Sequence, residues 1–411
     1  MNTDVLVVGA GMIGTCTALQ LALRGHSVAL VDRQAPGGET SYGNAGIIQR
    51  EAVEPYAFPR DWPAVIGAAL GRRMDVNYHL DALPSVMSPL ARYWHASAPA
   101  RYAQIAHDYS RLIEHCLTEH AALIEASGAA DLVRKEGYRA VFQTQAAMDS
   151  ASTRAAELQE RYGIRYEHLN GDALARAEPE LRVRLVGALH WLDPWSVSDP
   201  GALVQRYAQR FVTLGGSIAQ ADAATLTPTA SGWQVHSVDG PLTARHAVIA
   251  LGPWAAPLTS SLGYKLPLFV KRGYHRHYLG GPSLRLPLLD AENGFVIAPM
   301  SRGMRVTTGA EFARIGAPAT PVQLDKAERA ARRLIDLPQS VEQQPWLGNR
   351  PCTVDMKPVM GPAPKHAGLW FNFGHAHQGF TLGPVSGRLI ADLIEGTTPA
   401  IDPKPYSPLR F

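Results

Sequence analysis

Cysteine is scarce in this sequence of 411 residues, and long apolar runs are missing. The three cysteines, Cys16, Cys116 and Cys352, form no Cys-x-x-Cys pair, which excludes a disulfide framework and a cysteine-rich zinc site. No apolar run approaches the roughly 18 residues that span a bilayer, and the run that begins at Val5 leaves no room for a signal peptide. These absences predict a soluble, cytoplasmic protein.

An excess of charge of either sign is also missing, since 39 basic and 36 acidic residues leave a formal net charge of +3. Such a charge is too small and too dispersed for a surface that binds nucleic acid. Hydrophobic residues make up 46% and charged residues 18%, which is typical of a globular chain that buries a large core. Neither disulfides nor a structural metal is therefore needed for stability.

The N-terminal residues have the pattern of a strand–helix–strand unit. Apolar runs within 4–8 and 27–32 predict two buried strands, and the apolar residues within 13–24 predict the helix between them. Gly25 supplies the stop signal of that helix. The connections are as short as those of a βαβ unit.

Between the first strand and the helix, Gly9, Gly11 and Gly14 form the pattern Gly-x-Gly-x-x-Gly. The first glycine permits a tight turn, the second lets a pyrophosphate approach the backbone, and the third lets helix and strand pack closely. Asp32 ends the second strand and can accept hydrogen bonds from ribose hydroxyls, which disfavours the 2′-phosphate of NADP. This context predicts a dinucleotide site, but it does not distinguish FAD from NAD.

Later segments alternate between two styles of pattern. Helical spacing of apolar residues predicts helices over 103–127, 150–161 and 384–395, and the Ser-Asp-Pro sequence at 198–200 forms a helix start. A pattern typical of a dinucleotide domain alternates with mixed, strand-rich stretches, which predicts two interleaved domains. The first holds residues 1–50, 196–262 and 346–411, and the second holds residues 51–195 and 263–345.

Three further segments accompany the glycine turn. They are 39–46 (Glu-Thr-Ser-Tyr-Gly-Asn-Ala-Gly), 246–254 (His-Ala-Val-Ile-Ala-Leu-Gly-Pro-Trp) and 349–361 (Asn-Arg-Pro-Cys-Thr-Val-Asp-Met-Lys-Pro-Val-Met-Gly), the last continued at 369–375 and 378–384. In order and spacing, these segments resemble the FAD-dependent family of D-amino-acid oxidases and dehydrogenases. Its members include glycine oxidase, sarcosine oxidase and bacterial D-amino-acid dehydrogenases.

The resemblance implies an α/β fold (α+β overall), in which a Rossmann-like FAD-binding domain is interleaved with a substrate domain built on a mainly antiparallel sheet. It also implies that the last helix points its N-terminus at the flavin pyrimidine edge, where negative charge grows on reduction. The implied cofactor is FAD. The implied cofactor-binding residues are Gly9, Gly11, Ile13, Gly14, Asp32, Arg33, Thr40, Ser41, Asn44, Ala45, Gly46, Gly252, Trp254, Gly374, His375, Gln378, Gly379 and Thr381.

The resemblance implies the residues that handle an amino-acid substrate as well. Arg350 matches the family's carboxylate-binding arginine, and a planar guanidinium suits a buried carboxylate. Tyr274 falls where relatives place a substrate-contacting group, with a strand residue packed on the sheet as the equal alternative. His275 is a further candidate of the same kind. Lys271 and Lys357 are interpreted as surface charges.

Two His-x-His pairs, at 275/277 and 375/377, raise the alternative of a metal site. No acidic cluster accompanies either pair in the sequence, and hydride chemistry needs no metal, so no metal is predicted. His375 is instead expected beside the flavin. Some relatives attach FAD covalently through Cys or His, but Cys352 is not at the position expected for such a link.

The implied reaction is oxidative deamination of an amino acid, by hydride transfer from the α-carbon to flavin N5. A D-amino acid is expected, and the segment 374–380 resembles hydroxy-D-proline dehydrogenases, which adds D-proline and cis-4-hydroxy-D-proline. The Trp- and Pro-rich stretch 58–95 resembles the dehydrogenase branch and favours a non-oxygen acceptor, either a quinone or a redox protein. Peripheral association with the inner face of the membrane therefore stays open.

Three alternatives remain at this point. A glycine or sarcosine oxidase would differ in substrate and acceptor and would form hydrogen peroxide. An NAD-linked dehydrogenase would be colourless after purification. A catalytically silent flavoprotein, or one subunit of a larger electron-transfer assembly, would not turn over alone.

Overall fold

A mostly parallel sheet holds the N-terminal unit in the computed structural model, which describes residues 2–61, 63, 67 and 76–411. Asn2–Val8 pairs in parallel with Val28–Asp32 on one side and Gly240–Ile249 on the other. The cores of these strands are fully buried, as their apolar runs predict. Within the described residues the sheet has eight strands: Asn2–Val8, Val28–Asp32, Ser217–Gln220, Thr227–Thr229, Gly232–Ser237, Gly240–Ile249, Val359–Pro362 and Leu369–Phe373.

The second sheet is mainly antiparallel and has ten strands within the described residues. Two of its pairings are parallel and the others are antiparallel. In sheet order the strands are Val76–Tyr78, Ala310–Phe312, Leu268–Tyr278, Gly303–Thr308, Phe295–Met300, Leu288–Asp290, Tyr138–Phe142, Gly187–Trp191 and Tyr166–Asn170, with Trp346–Thr353 beside Leu268–Tyr278. A small third sheet contains Ile47–Ile48, Trp195–Val197 and Val133–Arg134.

The chain passes repeatedly between the two large sheets, which is the interleaved α/β architecture that the sequence predicts. Two elements do not follow the predicted division. Trp346–Thr353 lies in the second sheet, although 346–411 is assigned to the first domain. The helices Pro99–Glu114 and Cys116–Ala126, from the stretch assigned to the second domain, pack against the last helix, Gly379–Glu395. Because these elements cross the predicted division, the strands and helices do not establish the domain boundaries, which stay a prediction.

Cap residues set several helix boundaries. Asp199 accepts a hydrogen bond from the Ala202 amide at 2.9 Å and Pro200 lies in the first turn, as the sequence predicts. Thr144 caps a helix that starts earlier than the predicted 150. The α-helices of the described residues are Met12–Leu23, Leu83–Ala96, Pro99–Glu114, Cys116–Ala126, Gln145–Tyr162, Gly171–Ala177, Pro200–Thr213, Ala255–Ser261, Val322–Leu334 and Gly379–Glu395.

The predicted helix 103–127 is divided at His115 into Pro99–Glu114 and Cys116–Ala126. The His115 amide bonds the carbonyl of Leu112, three residues back, which tightens the turn and ends the first helix. Within the described part of the chain, no helix combines the length and the apolar character needed to cross a bilayer. Part of the Trp- and Pro-rich stretch 58–95, including Trp62, lies outside the described residues.

The last helix begins at Gly379 rather than at Pro384, so the predicted start is wrong. A proline inside a helix removes the N–H that would bond the carbonyl four residues earlier, here that of Phe380. His120 Nε2 lies 3.0 Å from this carbonyl oxygen, and His120 Nδ1 lies 3.2 Å from the Tyr207 hydroxyl. The helix extends past the proline because a buried histidine takes the place of the missing backbone donor.

Candidate functional site

A cavity of about 1280 Å³ is lined by residues from both large sheets. One end contains Gly11 and Asp32, and we call it the turn end; the other contains Lys271, Arg350 and His377, and we call it the basic end. The volume exceeds the roughly 300–1,000 Å³ of ordinary small-molecule sites. The cavity therefore has room for a dinucleotide together with a substrate.

The three glycines of the turn end differ in what surrounds them. Gly9 has φ +111°, and a Cβ there would lie 2.5 Å from the Ala250 carbonyl oxygen. A Cβ on Gly14 would lie 1.7 Å from the Gly9 carbonyl oxygen, so this residue lets the helix approach the strand. Gly11 lines the cavity, where its nearest neighbour would be Ser41 Oγ at 3.4 Å. The backbone is thus open to a ligand at the second glycine.

Asp32 is fixed beside the glycine turn by backbone hydrogen bonds. Its Oδ2 accepts from the Ala10 amide at 2.6 Å, and its Oδ1 accepts from the Gln34 amide at 3.0 Å. Because it lines the cavity with a fixed orientation, this carboxylate suits the predicted contact with ribose hydroxyls. Next to it the Arg33 guanidinium lies over the Trp254 ring, 4.3 Å from its centroid.

The hydroxyls of the 39–46 loop are engaged by the protein itself. Thr40 Oγ1 donates to the Asn349 carbonyl at 3.0 Å, and Ser41 Oγ accepts from the Met12 amide at 2.9 Å. Both residues line the cavity. A hydrogen bond from Thr40 to a phosphate would have to replace its present contact, whereas the Ser41 hydroxyl, which only accepts here, can still donate. The predicted role of the two residues remains untested.

The second half of this loop is shaped by two side chains. Asn44 Oδ1 accepts from the Gly46 amide at 2.8 Å, and Arg305 donates to the carbonyls of Tyr42 at 2.9 Å and Asn44 at 2.5 Å. Gly46 has φ +69°, and a Cβ there would lie 2.3 Å from the Val197 carbonyl oxygen. Gly46 is therefore needed for the close approach of two backbones.

A strained loop precedes the last helix. Gly374 has φ +82° and Ala376 has φ +50°, a conformation that is uncommon for a residue with a side chain. The Ala376 amide donates to the Pro351 carbonyl at 2.8 Å, which holds the loop in place. The conformation brings the His377 ring to the basic end, 4.8 Å from the ring of Tyr56.

The two histidines of this loop are held in the neutral form. Burial lowers the pKa of His375 to about 3, and burial with the charges of Arg350 and Lys271 lowers the pKa of His377. His375 Nε2 lies 3.0 Å from Ser386 Oγ. Nδ1 of both rings is buried without a partner among the described residues. Since both rings line the cavity, these nitrogens indicate hydrogen-bonding positions for a ligand.

Gln378 and Thr381 support the start of the last helix from behind the cavity. Thr381 Oγ1 donates to Gln378 Oε1 at 2.8 Å, and Gln378 Nε2 donates to Gln49 Oε1 at 2.8 Å. Gln49 Nε2 in turn donates to Glu51 Oε1 at 2.9 Å, and the Tyr138 hydroxyl donates to the same oxygen at 3.0 Å. Burial raises the pKa of Glu51 to about 7. Gln378 and Thr381 are thus positioning residues for the helix N-terminus.

Arg350 lies at the basic end and has no acidic partner among the described residues. Its guanidinium donates to the Gly309 carbonyl at 2.8 Å and more weakly to the carbonyls of Arg272 and Thr308, both at 3.4 Å. A Cβ on Gly273 would lie 2.5 Å from Arg350 Nη1, so only glycine leaves room for this position. Carbonyl oxygens orient the guanidinium without neutralising it, which suits an anionic ligand.

Tyr274 belongs to a buried network although part of it lines the cavity. Its hydroxyl donates to Glu311 Oε2 at 2.7 Å and accepts from the Thr320 amide at 2.8 Å. The Arg272 guanidinium lies 2.5 Å from the same carboxylate oxygen. These contacts favour the alternative interpretation of Tyr274 as a strand residue packed on the sheet.

His275 does not line the cavity, because its ring stacks on Trp346 with the centroids 4.7 Å apart. Next to it His277 Nδ1 lies 2.6 Å from Glu342 Oε1, so this His-x-His pair has an acidic neighbour that the sequence pattern did not indicate. Arg305 Nε donates to His277 Nε2 at 2.9 Å. The three side chains form a hydrogen-bonded chain, and the positive charge of Arg305 opposes a divalent cation at this position.

The interpretation of Lys271 and Lys357 as surface charges is wrong. Lys271 is only 6% exposed and lines the basic end, and Lys357 is buried with its Nζ 2.6 Å from Asp108 Oδ2. Strand alternation carried a signal for Lys271, since it lies two residues from Phe269 and from Gly273 on the same face. Sequence reasoning also missed the aromatic wall of the cavity. That wall contains Tyr56, Phe58, Tyr78, Tyr93 and Phe312.

The structure brings most of the predicted cofactor residues to one cavity. Those that line it are Gly9, Gly11, Ile13, Asp32, Arg33, Thr40, Ser41, Asn44, Ala45, Gly252, Trp254, His375 and Gly379. Those outside its lining are Gly14, Gly46, Gly374, Gln378 and Thr381. The open backbone at Gly11 and the unpaired nitrogen of His375 fit an FAD that extends from the turn end towards the basic end.

Comparisons with known proteins support the same cofactor, FAD. A family model described as "FAD dependent oxidoreductase" matches residues 4–393. The chain is 30% identical to a D-amino-acid oxidase of Bradyrhizobium diazoefficiens, over 99% of this chain and 98% of the relative. It is 31% identical to a D-amino acid dehydrogenase of Cereibacter sphaeroides, over 97% of this chain and 93% of that one. The crystal structure of glycine oxidase from Geobacillus kaustophilus shares the fold, with a TM-score of 0.73 at 24% identity, covering 100% of this chain and 99% of that chain.

Proposed function

Because this chain belongs to the family of FAD-dependent oxidoreductases, we propose that it oxidises a D-amino acid at the α-carbon. FAD is the cofactor, which sets aside the NAD-linked alternative. Two curated relatives, one named an oxidase and one a dehydrogenase, both act on D-amino acids according to their names, which supports this substrate class.

The observation that carries the proposal is the un-neutralised guanidinium of Arg350 at the basic end. An amino-acid substrate brings a carboxylate, and a planar guanidinium held by backbone carbonyls is ready to bind it with two hydrogen bonds. This contact would orient the α-carbon towards the cofactor, which lowers the entropic part of the barrier. Arg350 therefore acts by binding and positioning.

The chemistry divides between the cofactor and the chain. When bound, FAD would supply the acceptor for a hydride from the substrate α-carbon. The substrate amine must be unprotonated for its lone pair to form the C=N bond as the C–H bond breaks. With a primary amine, water then adds to the resulting imine and releases ammonia and a 2-oxo acid, whereas a cyclic secondary amine such as proline gives a cyclic imine. Within the described residues, the aromatic wall of the basic end would limit access of other water to this position.

We further propose that a quinone or a redox protein, rather than oxygen, takes the electrons. The resemblance of the stretch 58–95 to the dehydrogenase branch supports this acceptor. A quinone acceptor would bring the protein to the inner face of the membrane, whereas a soluble acceptor would leave it in the cytoplasm. The glycine or sarcosine oxidase remains the second candidate, and the oxidase name of one relative favours keeping it.

An anaerobic panel tests the proposal. The purified holoprotein is mixed without oxygen with D- and L-enantiomers of each amino acid, including both prolines and the hydroxyprolines, and bleaching of the flavin is recorded. D-enantiomers are expected to bleach the flavin and L-enantiomers are not; bleaching by L-enantiomers alone would overturn the proposal. Readmission of oxygen then distinguishes the acceptors, since stoichiometric peroxide with glycine or sarcosine would establish the oxidase instead.

A further inference from the structure

Lys271 and Arg350 occupy directly paired positions on two neighbouring strands, Leu268–Tyr278 and Trp346–Thr353. Side chains at paired positions of antiparallel strands lie on the same face of the sheet. Both side chains line the basic end of the cavity. The sheet therefore places two cationic groups beside each other, facing the same space.

Among the described residues, Lys271 has no carboxylate partner, whereas Lys357, the other buried lysine, has one. Lys357 is paired with Asp108 at 2.6 Å, and neither residue of that pair lines the cavity. In the part of the chain that the structure describes, the acidic residues that line the cavity are all at the turn end, namely Asp32, Glu39 and Asp222. An unpaired buried charge is costly, so a negatively charged ligand that pairs with Lys271 would remove this cost.

Three aromatic rings surround the Lys271 ammonium. Its Nζ lies 4.7 Å from the ring centroid of Tyr93, 5.8 Å from that of Phe269 and 5.9 Å from that of Phe312. Burial and the charge of Arg350 lower the pKa of Lys271. The ring faces attract a cation and so offset part of the cost of burying it. Because the rings carry no full negative charge, they leave the Lys271 ammonium without a counter-charge, and an anionic ligand could supply one.

We propose that Lys271 and Arg350 bind the two carboxylates of one substrate, which makes that substrate an amino acid with an acidic side chain. This inference rests on the proposed function, which assigns the α-carboxylate to Arg350. Two carboxylates balance two cations once the substrate amine has lost its proton. An uncharged side chain, including the ring of D-proline, would leave Lys271 without a counter-charge. We therefore expect the acidic D-amino acids to be better substrates than D-proline.

The first arm of the test measures binding without turnover. Glutarate and pentanoate share a chain length but differ by one carboxylate, and each is titrated into the holoprotein while the flavin spectrum is followed. In Lys271→Met the dissociation constant for glutarate is expected to rise about 10- to 100-fold, and that for pentanoate less than about 3-fold. Lys271→Arg keeps the charge and should retain most of the glutarate affinity.

Lys365→Met is the matched control, because Lys365 also lies over a tyrosine ring, that of Tyr264, but is exposed and outside the cavity lining. It should leave both dissociation constants unchanged. Equal weakening of glutarate and pentanoate in Lys271→Met would overturn the inference, because Lys271 would then act on the shape of the site. No change for either ligand would overturn it as well.

The second arm compares substrates under anaerobic conditions. D-Glutamate and D-aspartate should bleach the flavin of the unchanged protein at lower concentrations than D-glutamine and D-asparagine, and Lys271→Met should reverse this preference. Bleaching by uncharged D-amino acids with no preference for acidic ones would overturn the inference and leave the proposed function intact. Glutarate binding that depends on Lys271, with no bleaching by any D-amino acid, would instead overturn the proposed function and support the anion site.

Discussion

The two ends of the cavity are built in different ways. The glycine turn of the turn end comes from one continuous stretch, in which the strand Asn2–Val8, the turn and the helix Met12–Leu23 follow one another, and Asp32 ends the next strand. The basic end joins Lys271 and Arg350 from neighbouring strands with His377 from the loop before the last helix. Backbone shapes the first end, and individual side chains shape the second.

The two ends also carry opposite charge. Acidic side chains line the turn end, where ribose hydroxyls need acceptors, and cationic side chains line the basic end, where a carboxylate needs donors. A site shaped by backbone should lose stability or ligand affinity when a side-chain atom is added to it. A site shaped by side chains should lose ligand affinity when a side chain is truncated. Four substitutions test this difference.

The largest effect is expected from Gly14→Ala at the turn end. The added Cβ would lie 1.7 Å from a backbone oxygen, and we expect the free energy of unfolding to fall by about 3 kcal/mol. Gly11→Ala is the matched control, since its Cβ meets only Ser41 Oγ at 3.4 Å. That variant should keep its stability and lose FAD affinity. Urea unfolding and flavin content measure the two effects, and equal stability of both variants would contradict the assigned roles.

At the basic end, Arg350→Ala should raise the KM for the amino acid about 100-fold, because a charge-assisted, bidentate contact is lost. Flavin content should stay unchanged, since the guanidinium is assigned to the substrate. Arg350→Lys keeps the charge without the planar fork and should give a smaller rise. Bleaching rates against substrate concentration provide the measurement, and a normal KM in Arg350→Ala would remove this residue from the site.

A smaller effect is expected from Asp32→Ala, which removes one acceptor at an end otherwise made by backbone. The dissociation constant for FAD should rise about 10-fold, measured by recovery of flavin fluorescence on dilution. Asp32→Asn keeps one carbonyl oxygen and should lose less. If the holo fraction of Asp32→Ala stays that of the unchanged protein, the ribose contact does not exist.

The smallest effect on catalysis is expected from Tyr274→Phe. Its hydroxyl donates a hydrogen bond to Glu311 and accepts one from the Thr320 amide. The KM should therefore change less than about 3-fold while the free energy of unfolding falls by about 1 kcal/mol. Kinetic and urea titrations on the same preparation measure both. A rise in KM of about 10-fold would show that the hydroxyl reaches the substrate and that the basic end is larger than Lys271, Arg350 and His377.

Much of the turn end could be predicted from the sequence because its parts are local. Apolar runs identify the strands, and Gly9, Gly11 and Gly14 differ in the space that they leave, as the fingerprint predicts. The same locality explains the correct start of the helix Pro200–Thr213, where a single side chain caps the first turn. Errors occurred where a distant residue intervened, as when His120 allows the last helix to begin before Pro384.

The basic end could be predicted only in part. The resemblance alone points to Arg350, and nothing in its local sequence shows that the carbonyls of Gly309 and Arg272 would hold it. Lys271 was misread as a surface charge because lysine is seldom buried, although its neighbours alternate as in a strand. Tyr274, three residues after Lys271, falls on the opposite face by strand alternation, and its hydroxyl joins Glu311 although part of the residue lines the cavity.

By itself, the sequence determined the glycine turn, its acidic residue and the interleaved α/β fold, since hydrophobic period and turn chemistry act over a few neighbouring residues. Only the tertiary structure decided that Lys271 and Arg350 lie side by side and that the rings of Tyr93 and Phe312 enclose the lysine. The physical reason is strand register: a shift of one residue would turn either side chain to the other face, and register depends on packing across the whole sheet.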